Sequence, residues 1–303
     1  MKTIFWIAFV VFVLWCVFRH RLADSKHRPR GSSSPQPVLQ ETTSLEESHL
    51  HVTKPISKKE IWKIGPEDIL KKEYISFTRI KTFNTCPRMF ELIYLYGFED
   101  KSGRAAQVGS LVHKIVHLYT GHHKGRLSDQ LRNNGVVEEL LHFYDQAVSS
   151  TDLTYRIPKS ELTPYLSNFV VMNRKGNYQV QVTEHECDSM IGDYKLKCII
   201  DRIDVGQIII DYKTGNPQNA VNHQLNVYAY ALSNGQWSPF RVAFQFLKTG
   251  EVRDWKYTAQ LHRAAEEWLF EGIQEIEKTK VFRRNTSRLC DYCGVSEHCY
   301  RVP

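Results

Sequence analysis

The stretch CIIDRIDVGQIIIDYKTG, residues 198–215, constrains this chain more than any other. Two isoleucine-rich runs, too short for helices, flank a Val-Gly-Gln turn signal, and each ends on an aspartate, Asp201 and Asp211. β-branched runs joined by a tight turn predict adjacent antiparallel strands, which lie about 4.8 Å apart, so the two carboxylates can converge on one cation. Lys213 follows Asp211 by two residues, and strand alternation returns its side chain to the same face. Carboxylates in this arrangement suit Mg²⁺, a hard ion that prefers oxygen ligands. Such an ion acidifies a bound water and neutralises charge on a phosphate. A lysine alongside would orient that water and support developing negative charge. Aspartate and lysine are also common at the exposed ends of strands, and DYKTG reads equally well as a plain turn. Asp204, two residues from Arg202, reads as an ion-pair partner rather than a ligand.

The elements around this stretch place it in an α/β fold. Upstream, ISFTRIKTFNTCPRMFELIYLYGF offers Ser76 as a helix N-cap, apolar residues at helical spacing and Pro87 where a second helix can begin. QVGSLVHKIVHLYTGHH predicts a helix ending at Gly121, with His113 and His117 on one face at i, i+4. The zinc-protease pattern HExxH is absent. Further helices are predicted over 127–149 and 159–173. YQVQVTEHECDSMI, YKLKCIIDRIDV and QIIIDYKTG then form a three-strand meander. NHQLNVYAYALSN predicts a helix carrying Gln224 and Tyr228 on one turn, within reach of a nucleotide or phosphate. A strand FRVAFQFLKTGEV and a helix TAQLHRAAEEWLFEGIQEIEKTK complete the pattern. Central strands with helices on both flanks give an α/β core with an N-terminal helical addition.

The N-terminal 65 residues are of another kind. Residues 4–18, IFWIAFVVFVLWCVF, carry no polar side chain. As a helix they would span about 22 Å, short of the roughly 30 Å hydrocarbon core unless Lys2, Arg19 and Arg21 snorkel. The positive charge lies after the apolar run and no A-x-A cleavage site follows. Residues 1–22 therefore read as a membrane anchor with the remainder in the cytoplasm, against a signal peptide, a mitochondrial address or a soluble intracellular protein as rivals. Residues 23–65, rich in Ser, Pro, Lys and Glu without hydrophobic period, read as a disordered linker. A formal charge of +7 leans toward a polyanionic partner. Arg79, Arg88, Arg283 and Arg284 are candidates to track a phosphate backbone, solvated surface being the alternative. Seven cysteines, an odd count without a secreted framework, point to a reducing compartment. Three of them crowd the end, in LCDYCGVSEHCYR, and leave open where a fourth ligand would come from.

Taken together and in order, these motifs resemble the RecB-like branch of the PD-(D/E)XK nuclease superfamily, from Tyr74 to Tyr300. The family's S-x-S-x-L…CP…F opening appears as SFTRIKTFNTCPRMF and its G-x-x-x-H helix as GSLVH. Its G-x-x-D-R-x-D…D-Y-K-T-G core appears as CIIDRID…DYKTG, and its Q-x-x-x-Y motif runs from Gln224 to Tyr228. Cys198 stands where the family often has glycine. The resemblance implies a restriction-endonuclease-like core, a central mixed sheet flanked by helices, over 66–303. It implies His113, Asp201 and Asp211 as ligands of Mg²⁺ or Mn²⁺, Lys213 as the catalytic lysine, and Gln224 and Tyr228 as substrate-site residues.

The resemblance also supplies an answer for the terminal cysteines. AddB-type and CRISPR-adaptation members hold an iron–sulfur cluster with one cysteine before the core and three after it. Cys86 matches the first, and Cys290, Cys293 and Cys299 the others, as a [4Fe–4S] clasp. Zinc, which also accepts four thiolates, is the rival. Cys16, Cys187 and Cys198 fit no ligand set and read as membrane-buried or core thiols. The function implied is a metal-dependent DNase, an exonuclease on single-stranded DNA or DNA ends, in repair, recombination or processing. CRISPR-adaptation-like endonucleolytic trimming, or a non-catalytic nucleic-acid-binding module, are the alternatives. No Walker A motif is present, so any unwinding requires a helicase partner.

Overall fold

The computed structural model describes residues 65–101, 103–175, 178–219, 222–238 and 240–300. The anchor expected over 1–22, Cys16 within it, and nearly all of the linker lie outside these residues. Among the described residues no helix is long and apolar enough to cross a membrane.

Among the described residues, five strands form one sheet in the order β1-β2-β3-β4-β5. β1 (Val180–Ile191), β2 (Tyr194–Asp204) and β3 (Ile208–Lys213) are the expected antiparallel meander, with Arg202 opposite Ile210 and Ile203 opposite Ile209. The next helix, α9 (His223–Leu232), carries the chain over to β4 (Phe240–Phe246), which pairs with β3 in parallel and makes the sheet mixed. The final strand expected from FRVAFQFLKTGEV is in fact a hairpin, β4 returning antiparallel as β5 (Glu251–Tyr257). The reversal falls at Lys248-Thr249-Gly250, where Gly250 takes φ +75°, a conformation costly for residues with a Cβ. Apolar β4 and charged β5 differ because β4 is covered on both faces and β5 is an edge.

Helices close both faces. One core holds α1 (Pro66–Lys72), α2 (Phe77–Thr85), α9 and α10 (Ala259–Lys278) against Ile200, Ile203, Ile209 and Phe244. Ser76 caps α2, its Oγ accepting from Arg79 N, and Pro87 opens α3 (Pro87–Phe90), as the sequence implied. The opposite core packs α4 (Arg104–His122) and α8 (Lys159–Arg174) on Ile210, Tyr212 and Ala243. The single helix expected over 127–149 is broken into α5 (Leu127–Gln130), α6 (Val136–His142) and α7 (Tyr144–Ser149). Asn133-Asn134-Gly135, with Gly135 left-handed at φ +76°, interrupts the first pair. Apolar residues resume beyond it and bury Val136 and Leu140 regardless.

Two expectations about charge resolve differently. Arg79 and Arg88 are buried and ion-paired to Glu73 and Glu91, so neither is a solvated surface charge or a backbone-tracking one. Asp204 pairs with Arg202 as expected. The pair is bidentate at 2.7 and 2.6 Å, fully buried, with Arg202 also donating to Asn173 Oδ1 (3.0 Å) and Tyr212 Oη (3.3 Å). This satisfied network pins β2 to β3 from beneath.

Candidate active site at the end of β2 and β3

Asp211 and Lys213 leave β3 on the face opposite Tyr212, and Asp201 leaves β2 beside them. Tyr212 N–H donates to Asp201 Oδ2 at 2.7 Å, so the backbone of one strand fixes the carboxylate of its neighbour. Lys213 Nζ lies 2.6 Å from Asp211 Oδ2 and donates to Gln224 Oε1 at 2.7 Å. Gln224 Nε2 donates in turn to Asp211 Oδ1 (3.1 Å) and to Tyr228 Oη (2.7 Å). The pair at i, i+4 on α9 is therefore a brace for the acid and the amine.

His113 arrives from the other layer. A Cβ at Gly109 would stand 2.7 Å from Thr214 Oγ1, so the glycine lets α4 approach the residue after Lys213. One turn later His113 Nδ1 sits 3.5 Å from Asp201 Oδ1. This is the physical content of GSLVH: the glycine sets the distance that the histidine uses. His117 does not join the set, and its buried Nδ1 has no hydrogen-bond partner. The structure thus brings His113, Asp201, Asp211, Lys213, Gln224 and Tyr228 into one place.

The electrostatics differ between the two acids. Burial raises the Asp211 carboxyl to about 6, with Asp201 adding repulsion and Lys213 opposing both. Asp201 suffers the same burial, yet His113 and the Tyr212 N–H outweigh it and hold the carboxyl below its ordinary value. Burial alone would lower His113, but the Asp201 charge carries it above the usual imidazole range.

No group of three or more His, Cys, Asp or Glu among the described residues converges ready-made on a single ion. In these rotamers the carboxylates face protein donors. The donor set nevertheless suits a divalent cation. Asp211 Oδ2 is buried and its partner is the Lys213 ammonium at 2.6 Å. Burial and the neighbouring Asp201 charge nonetheless raise its carboxyl, a demand for positive charge that a divalent cation would answer.

Two neighbours escaped the sequence reading. Glu184 on β1 falls between the pairs Thr183–Arg202 and His185–Ile200, which puts it across from Asp201. It has φ +48°, strained for a non-glycine, and burial followed by the Asp201 charge raises its carboxyl. Like charges directly opposite in a sheet repel, so this third carboxylate adds to the demand for positive charge. Its signal was the cross-strand register, which requires the pairing to be known. Lys81 on α2 is the second. Its surface stays accessible, but partial desolvation and then repulsion from Lys213 lower its pKa, with Asp211 opposing.

Two of the cysteines are core thiols, as expected. Cys187 and Cys198 are cross-strand partners, buried and free, so the departure from glycine at Cys198 is absorbed as core packing. Cys86, Cys290, Cys293 and Cys299 are all free and line one cavity of about 110 Å³, although 204 residues of numbering separate the first two. Asn285 N–H points at Cys86 Sγ (3.4 Å) and Ser287 N–H at Cys290 Sγ (3.5 Å). Burial raises the Cys293 thiol, and Asp100, Cys299 and Cys86 add to the effect. Cys293 and Cys299 pack on Leu92, Tyr96 and Val295.

A family model described as the PD-(D/E)XK nuclease superfamily matches residues 74–300. Among solved structures, a Eubacterium rectale protein whose name carries a provisional exonuclease assignment is similar at 16% identity and TM-score 0.47. That match covers 81% of this chain and 94% of the other. The protein SSO0001 is similar at 17% identity and TM-score 0.30, covering 74% and 95% respectively. No curated protein matches the chain.

Proposed function

The chain belongs to the PD-(D/E)XK nuclease superfamily, and from that premise we propose that it is a divalent-metal-dependent deoxyribonuclease acting on single-stranded DNA or DNA ends. The observation that carries the reading is the interlock of Asp211, Lys213 and Gln224 beside a backbone-anchored Asp201. A purely structural ion pair would hold the Asp211 carboxyl down rather than leave it raised toward neutral pH.

Asp201, Asp211 and His113 would hold Mg²⁺ or Mn²⁺, with Glu184 close by. A cation so bound supplies Lewis acidity toward a phosphate oxygen and an acidified water. Lys213 presents its ammonium to the water and to the charge that grows on the phosphate. Gln224 holds that ammonium through Oε1, and Tyr228 holds Gln224, so the donor is fixed before substrate arrives. Digestion of 5′- and 3′-labelled single-stranded and duplex oligonucleotides by the purified protein tests this. Mg²⁺-dependent shortening from an end, abolished by EDTA, is expected; binding without cleavage in Mg²⁺ or Mn²⁺ would make it a non-catalytic nucleic-acid module.

The cavity between the four cysteines supports a [4Fe–4S] cluster as the second cofactor. A tetrahedral zinc site needs its sulfurs about 2.3 Å from one ion. It would draw on the same four thiols, and metal content decides between the two. Protein purified without oxygen should be brown with broad visible absorption. Colourless protein with one zinc per chain would overturn the cluster.

A further inference from the structure

Helix α9 carries polar side chains on two faces. Gln224 and Tyr228 serve the pocket, while Asn226, two residues from each, lies on the other side of the helix. Asn226 is buried, and its Oδ1 accepts from Trp255 Nε1 at 3.2 Å. Trp255 stands on the edge strand β5, opposite Val242, and packs into the core that α9 covers. Its ring centre is 5.7 Å from that of Phe244. Phe244 pairs with Asp211 across the parallel strands, and its ring centre lies 5.2 Å from Lys213 Nζ. One side chain outside the pocket therefore reaches both the helix that holds Gln224 and the ring that Lys213 lies over.

Most of the seat of α9 is apolar. Leu225, Val227, Ala229 and Ala231 are buried in the same core, and such contacts hold a helix down without fixing its rotation. The stack of His223 on Trp268 (5.5 Å) tolerates sliding in the ring plane, and the bond from Tyr230 to Glu266 (3.3 Å) lies further along the helix. Gln224, by contrast, must meet Lys213, Asp211 and Tyr228 at once. Rotating a helix by about 10° carries a side-chain end about 5 Å from the axis through roughly 1 Å, enough to break such a set.

We infer that Trp255 is a positioning residue for the proposed cleavage. Its N–H sets the rotation of α9 and its ring seats Phe244 against Lys213, so that amide and amine meet before substrate binds. It touches no reacting atom and acts through Gln224 and Lys213. The inference rests on the nuclease reading for its consequence in catalysis, not for the geometry.

The test pairs two measurements on the full-length protein. In Mg²⁺-dependent cleavage of a labelled oligonucleotide, Trp255→Phe and Asn226→Leu should each lower kcat about 10- to 100-fold with KM within about twofold of the parent, because alignment is lost and binding surface is not. The double variant should be no worse than Trp255→Phe, since both changes remove one hydrogen bond. In EDTA, acylation of Lys213 by acetic anhydride, mapped by mass spectrometry against the exposed Lys124, should quicken several-fold in both variants as the ammonium leaves Gln224 and Asp211. Circular dichroism checks folding, and Asn226→Leu carries the test if Trp255→Phe does not fold. Unchanged Lys213 acylation in folded Asn226→Leu overturns the inference, as does a raised KM at unchanged kcat, or no change in either. Faster acylation in variants of a parent that never cleaves DNA upholds the positioning and sinks the nuclease reading instead.

Discussion

The pocket at the strand ends and the clasp at the C-terminus are both made of residues far apart in sequence, yet they are held in opposite ways. In the pocket, every catalytic candidate stands on a strand or helix and is braced by a neighbour. Asp201 is fixed by a backbone N–H, Asp211 and Lys213 by Gln224, Gln224 by Tyr228. Beneath it, Arg202, Asp204 and Asn173 lock the strands together. The clasp has two short 3₁₀ turns, Arg288–Tyr292 and Ser296–His298, with no buried residue in either. Only Val295 is fully buried there, with Leu92 and Tyr96 around it. Preorganisation in the pocket comes from this chain of braces, whereas the clasp has little buried surface of its own to hold it.

The difference can be broken from either side. The largest effect is expected from Asp211→Ala or Lys213→Ala, each lowering cleavage by about 10³-fold or more, with the circular dichroism spectrum preserved because the sheet does not rely on them. Full activity in both purified variants would dissolve the pocket as an active site.

Next comes Cys293→Ser. It should bleach the visible absorption and cost about 3–5 kcal/mol of thermal or denaturant stability, by the loop-closure estimate for a link spanning two hundred residues. Unchanged stability would mean that the clasp is ordered without any group bound to its thiols. Gly294→Ala is a subtler attack on the same region. Its Cβ would stand 2.6 Å from the Lys101 backbone N and O, so the clasp must shift off that segment, at about 1–3 kcal/mol.

The smallest effect sharpens the pocket side. In EDTA, Asp211 binds its proton more tightly folded than unfolded, since burial raises it to about 6 from an ordinary carboxylate value. Its contribution is therefore present at low pH and lost as pH rises through about 6. Asp211→Asn should stabilise the metal-free protein by about 1–2 kcal/mol at pH 7 and not at pH 4, with Mg²⁺ raising the melting temperature of the parent alone. Destabilisation by Asp211→Asn at both pH values would show the carboxylate to be structural.

Some of this was legible in residue order. Alternation gave Asp211 and Lys213 a common face, helical spacing joined Gln224 to Tyr228, and Asp204 fell to Arg202. The β4–β5 hairpin was missed because FRVAFQFLKTGEV runs apolar into polar without a strong break before Gly250. The 127–149 helix was over-read because apolar residues continue beyond Gly135. Arg79 and Arg88 misled in another way: a charge in a helix looks solvated until the acid that buries with it, Glu73 or Glu91, is seen. Glu184 could not have been found, since its importance is a matter of what stands across the sheet.

Local order, then, determined which residue types stand on which face of each element, because strand and helix periods act within a few residues. It determined the family as well, through motifs short enough to be read in line. Only the tertiary structure decided that His113 meets Asp201, that Gln224 braces Lys213 and that four cysteines share a cavity. Those contacts depend on how layers approach one another, here on a missing Cβ at Gly109 and a buried arginine network under β2 and β3. No periodicity along the chain records them.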